Sequence, residues 1–435
     1  MSNIINEDDK IITDRILNAL SSNNIQNYLI NTVITTSDES FYVLKNNVLS
    51  RNKYTVKSTV TIYNDFDDEN NKYRGSFSFT ADLNMDEEEL SSRALNAYNS
   101  AGAVKNPYYP LPLGNSMFLE NNKSDSFEIP MNLDSSRHIA DIILGCEYTS
   151  SVINSTEVFV TTKYNHTINS NGVNVKYSTS TYEGEYVAQS KEKEDVELYN
   201  NFKFASTDSS YEDSLKSMVT SSLKSVYDRS FAVSYSDFAD NIKFDKIILT
   251  GNCLYDLFNC YVSRSDASMI YPQYSDYSIG GSIISDSSNE KLSITVLPKT
   301  PYSSEGVKRV PLNIIKDNKI QYITGNSRFS HYLSLPATGN YDCFSLKCGT
   351  SSFDSMKSGK YLMIEHFSDF QMDNLNGQFG GEFRLAYVSD GTNVIPVTKG
   401  SVSFDIDKLR NLVLSSDEQN FYNYQGPVAI SFDNQ

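Results

Sequence analysis

From Tyr361 to Phe404 the chain reads YLMIEHFSDFQMDNLNGQFGGEFRLAYVSDGTNVIPVTKGSVSF. Apolar and polar residues alternate, the pattern breaks at Gly377, Gly380 and Gly381, and a second alternating run follows. Successive side chains of a strand point to opposite faces, so this spacing buries one face and wets the other, which a helix of period 3.6 would not do. The segment is expected to form antiparallel strands joined by glycine-dependent turns, with Gly380-Gly381 at a bend or bulge that a Cβ would block. Arg384 and Glu382 share a strand face, where a structural or solvated ion pair is expected. Glu365 and His366 are adjacent, point to opposite faces, and are poorly placed to hold one ion.

The first half mixes periods. Asp9 to Leu20 reads as an amphipathic helix, and Tyr54–Tyr63 and Lys72–Ala81 read as strands. The acidic NDFDDENN between them lacks the central glycine and closing glutamate of an EF-hand and is expected to be a solvated hairpin turn. Asn84 with Glu87 has capping-box spacing ahead of Leu90, Ala94, Ala97, Tyr98 and Ala101, and Gly102 stops that helix. The proline-punctuated NPYYPLP, Asn106 to Pro112, is expected to be extended. Asp134 is expected to cap a helix with Ile139, Ile142, Ile143 and Cys146 on one face. Strands Glu157–His166 and Val173–Gln189 are joined around Asn171-Gly172, a hairpin signal. A third strand runs from Val196 to Ala205, and Ser209 and Glu212 cap a helix carrying Leu215, Val219, Leu223 and Val226.

This order predicts an α+β domain over residues 1–235, with helices covering one face of a curved antiparallel sheet. Residues 236–435 open with KIILTG and a helix through Cys253 to Tyr261. They then turn almost wholly to strand, EKLSITVLP and KIQYITG included, which predicts a mostly antiparallel, barrel-like β domain.

Hydrophobic residues at 39% suffice for sizeable cores, while a net charge of −17 argues against nucleic acid and anionic membranes as partners. The opening MSNIINEDDK has neither the basic nor the apolar region of a signal peptide, and no run approaches the ~18 apolar residues of a membrane span, so a cytoplasmic protein is expected. Cys146, Cys253, Cys260, Cys343 and Cys348 are odd in number without CxxC spacing, which suits reduced, buried thiols. No GxSxG elbow, Walker loop or GxGxxG is present, and His138, His166 and His331 stand alone in the sequence.

The order FSDFQMD, G-x-F-GGE-x-R-L-A-Y, DG and PVT-x-GS-x-S resembles the C-terminal block of the TldD/PmbA proteins. NPYYPLP, YSDYSIGG (Tyr274 to Gly281), the run from Ile323 to Ser352 and the closing GPVAISF resemble further family segments in the same order. In the family, one type of subunit carries zinc on an HExxxH helix with a later cysteine and cleaves peptides; the PmbA (TldE) type carries none. The place matching that helix, Leu254 to Ser265, holds no His and no Glu, and no cysteine follows Asn411. Cys253 and Cys260 share a helix face and are expected to pack in the core rather than bind metal.

The resemblance therefore implies a non-catalytic subunit of a two-chain zinc metallopeptidase acting on unfolded peptides. Its partner would be a TldD-like zinc-bearing homologue or a second copy, with zinc only in the former and no cofactor in this chain. It also implies a substrate or partner cleft carrying Arg328, Asn340, Asp373, Gly377, Gly380, Gly381 and Arg384. One departure stands out: Phe404-Asp405 follow GS-x-S where the family usually has a small residue and Asn. The alternatives are a homodimeric peptide- or protein-binding protein without catalysis, and an enzyme whose metal ligands come from distant segments.

Overall fold

A computed structural model describes residues 2–114, 130, 133–193, 195–239, 244–284 and 290–434. The N-terminal half runs α1 (Ser2–Ser22), β1 (Asn27–Val43), β2 (Asn46–Asp68), β3 (Asn71–Ala81), α2 (Glu87–Ala101), α3 (Ser136–Gly145), β4 (Ser151–Asn169), β5 (Asn174–Ser190), β6 (Glu197–Ala205) and α4 (Tyr211–Ser230). Its strands form one curled antiparallel sheet in the order β3-β2-β1-β4-β5-β6. The central strand β1 is invisible to the periodicity reading. Thr32 and Ser40 on one face and Ser37 and Glu39 on the other are all buried, so polarity does not mark its faces. Cross-strand partners satisfy three of them, Thr32 with Ser58 at 2.7 Å, Ser37 with Thr161 at 3.3 Å, and Glu39 with Arg51 at 2.5 Å, while the Ser40 hydroxyl is buried without a hydrogen-bond partner among the described residues.

All four helices cover the same face. Ile12, Ile16, Leu90 and Ala94 of α1 and α2 pack on Ile30, Val60 and Ile62, while Ile139, Ile143, Leu215 and Val219 of α3 and α4 pack on Val158, Val160, Tyr182 and Phe204. The registers Ile30↔Val60, Ile30↔Ile168 and Val160↔Tyr182 put these even-numbered strand residues on one side. Odd-numbered residues are left on the other.

Local chemistry corrects several sequence expectations. The acidic turn shrinks to Glu69-Asn70, with φ of 47° and 69°; Asp65, Asp67 and Asp68 lie on β2, where Asp65 holds Arg74 at 2.6 Å. The α2 cap is Asp86, accepting from the Glu89 N–H at 2.7 Å, and not Asn84. Both have cap chemistry, but a start at Asp86 sets Glu87, Glu88 and Glu89 against the positive helix end. Ser135, not Asp134, caps α3, which leaves Asp134 to accept from Tyr211 at 2.6 Å; Ser210 stands at the start of α4. The β4–β5 hairpin turns at Asn171-Gly172 as expected, with Gly172 at φ 89°.

The C-terminal half runs β7 (Val233–Ser234), α5 (Ser236–Ala239), β8 (Lys246–Thr250), α6 (Cys253–Arg264), α7 (Ala267–Ile270), β9 (Ile294–Val296), β10 (Leu312–Lys316), β11 (Lys319–Ile320), α8 (Ser327–Tyr332), β12 (Phe344–Leu346), α9 (Phe353–Met356), β13 (Lys360–Met372), β14 (Gln378–Asp390), β15 (Val394–Thr398), β16 (Gly400–Asp405), β17 (Val413–Leu414), β18 (Glu418–Asn420), β19 (Tyr424–Pro427) and β20 (Ala429–Asp433). Two sheets result, β11-β10-β9-β12-β19-β18 and β17-β20-β8-β13-β14-β15-β7, with β16 also on β14. Most neighbours are antiparallel, but β8 with β13, β12 with β19, and β7 with β15 are parallel. KIQYITG contributes only two strand residues and EKLSITVLP only three. One apolar cluster joins both sheets through Leu254, Leu257, Phe258 and Tyr261 of α6. The expected division at 235/236 lies between β7, which already pairs with the C-terminal sheet, and α5; residues 240–243 are outside the described set.

Candidate functional site

A cleft of about 790 Å³ opens between strands β4 to β6 of the N-terminal sheet and the start of α6, with Phe202 and Phe204 of β6 and Met218 of α4 also on its lining. Glu157, Phe159, Glu183, Glu185 and Lys203 line it from β4, β5 and β6; Tyr255 and Asp256 of α6 and Tyr422 line it from the other half. These strand residues are odd-numbered, so the helices that bury the even face leave this row facing the second half. Lys203 bonds Glu183 at 2.6 Å and lies 4.9 Å above the Tyr422 ring. Tyr255 stacks on Phe344 at 5.5 Å and donates to the Asp342 carbonyl at 2.9 Å, which fixes an aromatic wall. Glu157 and Glu185 are direct cross-strand neighbours. Burial, and then the Glu185 charge, raise the Glu157 pKa; burial raises that of Asp256.

The α6 residues do not suit zinc. Cys253 and Cys260 are buried, and burial raises both thiols, Cys260 to about 11, whereas a metal ligand must be a thiolate. Cys253 donates to the Thr250 carbonyl at 3.2 Å. Asp256 brings the helix's single carboxylate to the cleft. No chemical step through a metal follows from these side chains.

The seven residues expected at a cleft fall on separate segments. Arg328, on α8, donates to Asn106 Oδ1 at 3.3 Å and packs 4.3 Å over the Phe329 ring. Beside it Tyr332 donates to the Pro107 carbonyl at 2.6 Å, so NPYYPLP fastens the two halves together. Asn340 is exposed, and its carbonyl accepts from Arg309 at 2.7 Å. Asp373 closes the β13–β14 turn: its carboxylate accepts from the Asn376 and Leu375 N–H groups at 3.1 and 2.8 Å and from the Asn376 side chain at 2.7 Å. These bonds, Asn376 first, hold it below the usual carboxylate range. Gly377 has φ +80°, and a Cβ there would lie 2.8 Å from Ile406. Gly380 has φ +150°, and its Cβ would lie 2.1 Å from the Val402 carbonyl; that of Gly381 would lie 1.9 Å from the Asp369 carbonyl. Both glycines let β14 pass between β13 and β16. Arg384 is exposed; among the described residues no ion pair joins it to Glu382, and burial first, with the Arg384 charge adding to it, lowers the pKa values of Arg229 and His366. Among the described residues, none of the seven is on the wall of the 790 Å³ cleft.

The structure also builds a polar junction that sequence reading missed. Bulges in β13 after Ile364 set Glu365 outside the ladder, so Glu365 and His366 do not simply alternate. Both reach toward the N-terminal half. Glu365 accepts from Ser225 of α4, and beside it Tyr387 donates to Asp228 at 2.7 Å. Burial raises the Glu365 pKa; burial and the Arg229 charge lower that of His366. The other histidines also gain partners in space. His138 meets Glu212 at 3.2 Å between α3 and α4, and buried His166 bridges Asp9 at 2.9 Å and Asn174 at 3.0 Å. Asp134, His138 and Glu212 have ligand atoms within 4.8 Å, but Tyr211 and Lys216 already occupy the two carboxylates.

Residues 244–433 match the family model of the PmbA/TldA metallopeptidase C-terminal domain. No curated protein matches the chain. Over its whole length the fold is TldD/PmbA-like. A candidate modulator of a DNA gyrase from Thermotoga maritima superposes with a TM-score of 0.73 at 12% identity, covering 98% of each chain. TldE from Thermococcus kodakarensis gives 0.71 at 13% identity, over 96% of this chain and 98% of that one. A candidate modulator of DNA gyrase from Bacteroides thetaiotaomicron gives 0.72 at 12% identity, over 98% of each. At such identities the likeness is one of fold.

Proposed function

We propose that the whole chain is a PmbA (TldE)-like subunit, non-catalytic by itself, that pairs with a TldD-like zinc-bearing homologue and helps enclose a cleft for unfolded peptides. The observation that carries this reading is α6. By the sequence resemblance it stands where an HExxxH helix is expected in the zinc-bearing type; it faces the 790 Å³ cleft, yet it presents Tyr255 and Asp256 there and turns both cysteines inward. A peptide lying in the cleft would meet aromatic rings from both walls and strand carboxylates at its floor, which suits an extended chain with its backbone desolvated. Zinc, held by the partner, would supply the activated water.

The test is complementation. The chain and a zinc-bearing homologue are assayed on an unfolded peptide separately and mixed. Hydrolysis that appears or rises only on mixing, and that falls when Tyr255→Ala removes a ring from the aromatic wall, is the expected result. Metal-dependent hydrolysis by this chain alone, or no effect and no association on mixing, would overturn the proposal.

A further inference from the structure

Two rows of odd-numbered side chains cross the N-terminal sheet and end in the cleft. One runs Arg51, Glu39, Phe159, Glu183 and Lys203, each the cross-strand neighbour of the next. Its charges cancel, because Arg51 holds Glu39 at 2.5 Å and Lys203 holds Glu183 at 2.6 Å. The adjacent row runs Phe41, Glu157, Glu185 and Asn201. It sets two carboxylates directly opposite each other and supplies no cation. Like charges so placed destabilise a strand pair, and the Glu185 charge adds to burial in raising the Glu157 pKa. The Arg51 charge is felt at Glu157, but its guanidinium is bonded to Glu39. Among the described residues neither Glu157 nor Glu185 has a side-chain hydrogen bond or ion pair.

The facing wall does not supply the missing charge. It brings Asp256 and Asp342, and Lys203 is the one basic residue on the described lining. Lys299 joins Lys203 at the Tyr422 ring, at 4.7 and 4.9 Å. The cleft is thus short of positive charge at one pair of glutamates, with Phe159 two residues along β4 on the same face. Calcium would want about six to eight oxygens, and the row offers only Phe41 on one side of the pair and one amide, Asn201, on the other. A guanidinium suits the pair better. It is planar, weakly hydrated, carries N–H donors enough for two carboxylates, and its stem packs on aromatic rings. We propose that the cleft selects peptide segments bearing arginine, with the guanidinium held between Glu157 and Glu185 and its stem against Phe159. This rests on the reading of the cleft as a peptide site and names what that site prefers.

The test titrates the full chain with a short labelled peptide of Ser, Gly and Val carrying one central Arg, beside the same peptide with citrulline there, which keeps the shape and loses the charge. The Arg peptide should bind about tenfold more tightly at low salt, a preference that shrinks as salt rises. Glu157→Gln with Glu185→Gln should bring the two peptides level without lowering the melting temperature. Tyr255→Ala should weaken both peptides alike, which places them in the cleft. Equal affinity for the two peptides, with Tyr255→Ala still weakening both, would overturn the arginine selection and leave the peptide cleft standing. Binding of neither peptide would overturn the cleft reading and this inference with it. An Arg preference that survives the double Gln variant, or calcium that displaces the Arg peptide at low concentration, would overturn the assignment to this pair.

Discussion

Asp9 is 1% exposed, and its carboxylate bonds His166 at 2.9 Å and Lys176 at 2.9 Å. Burial alone would raise its pKa, but the hydrogen bonds and charges of those two partners outweigh it and leave the group below its ordinary value. A carboxyl depressed in the folded state stabilises above its unfolded pKa, about 3.9, and loses that contribution as pH falls through the folded value. Asp9→Asn should therefore cost about 3–5 kcal/mol at pH 7, because it strands two buried partners. The gap between wild type and variant should narrow as pH drops below about 4. Urea unfolding at both pH values measures it; a gap independent of pH would show that the pair does not govern acid stability. The glycines respond to backbone geometry instead. Gly380→Val pushes a side chain into the Val402 carbonyl at a φ of +150° and should cost about 3 kcal/mol. Gly391→Ala, with Lys360 as nearest neighbour at 3.8 Å, meets only the positive-φ penalty and should cost about 1 kcal/mol. Thermal melts rank the two, and equal losses would refute the packing explanation.

At the scale of elements, the caps offer a sharper comparison. Asp86→Ala should lower stability by about 1 kcal/mol through the lost bond to Glu89, while Asn84→Ala should change it by less than about 0.5 kcal/mol. The reverse order in denaturant titrations would restore the Asn84 cap. Elements with strong local signals were readable in the sequence: the Asn171-Gly172 hairpin and the helix through Cys253 to Tyr261, whereas Gly380 and Gly381, where a Cβ is blocked as expected, lie in register inside β14 and not at the expected bend or bulge. The hairpin and the helix depend on turn chemistry or period within a few residues. β1 was not readable, because Thr32 and Ser37 are buried through hydrogen bonds that only its neighbours provide. The turn from Glu365 outward was also hidden, since a bulge depends on the register with β14.

At the scale of the whole molecule, function depends on how the halves meet. Ser225 with Glu365, Asp228 with Tyr387, and Pro107 with Tyr332 tie them at separated points. Cleavage between Ser230 and Lys246, where a junction is expected, should therefore leave the two fragments co-eluting on gel filtration, and their separation would contradict these contacts. The cleft escaped the sequence for the same reason. Its wall gathers residues from β4 to β6, α6 and the segment around Tyr422, and no local pattern joins them. The absence of His and Glu from Leu254 to Ser265 is read from one segment, and it motivates the proposal that this chain carries no zinc of its own. The most direct measurement is therefore metal content. The purified chain, and the same chain recovered in complex with a zinc-bearing TldD-like homologue, are analysed by mass spectrometry for zinc per subunit. The account predicts substoichiometric zinc on the chain alone and about one zinc per heterodimer, held by the homologue. About one tightly bound zinc on the isolated chain, lost on mutating residues of the cleft, would contradict it.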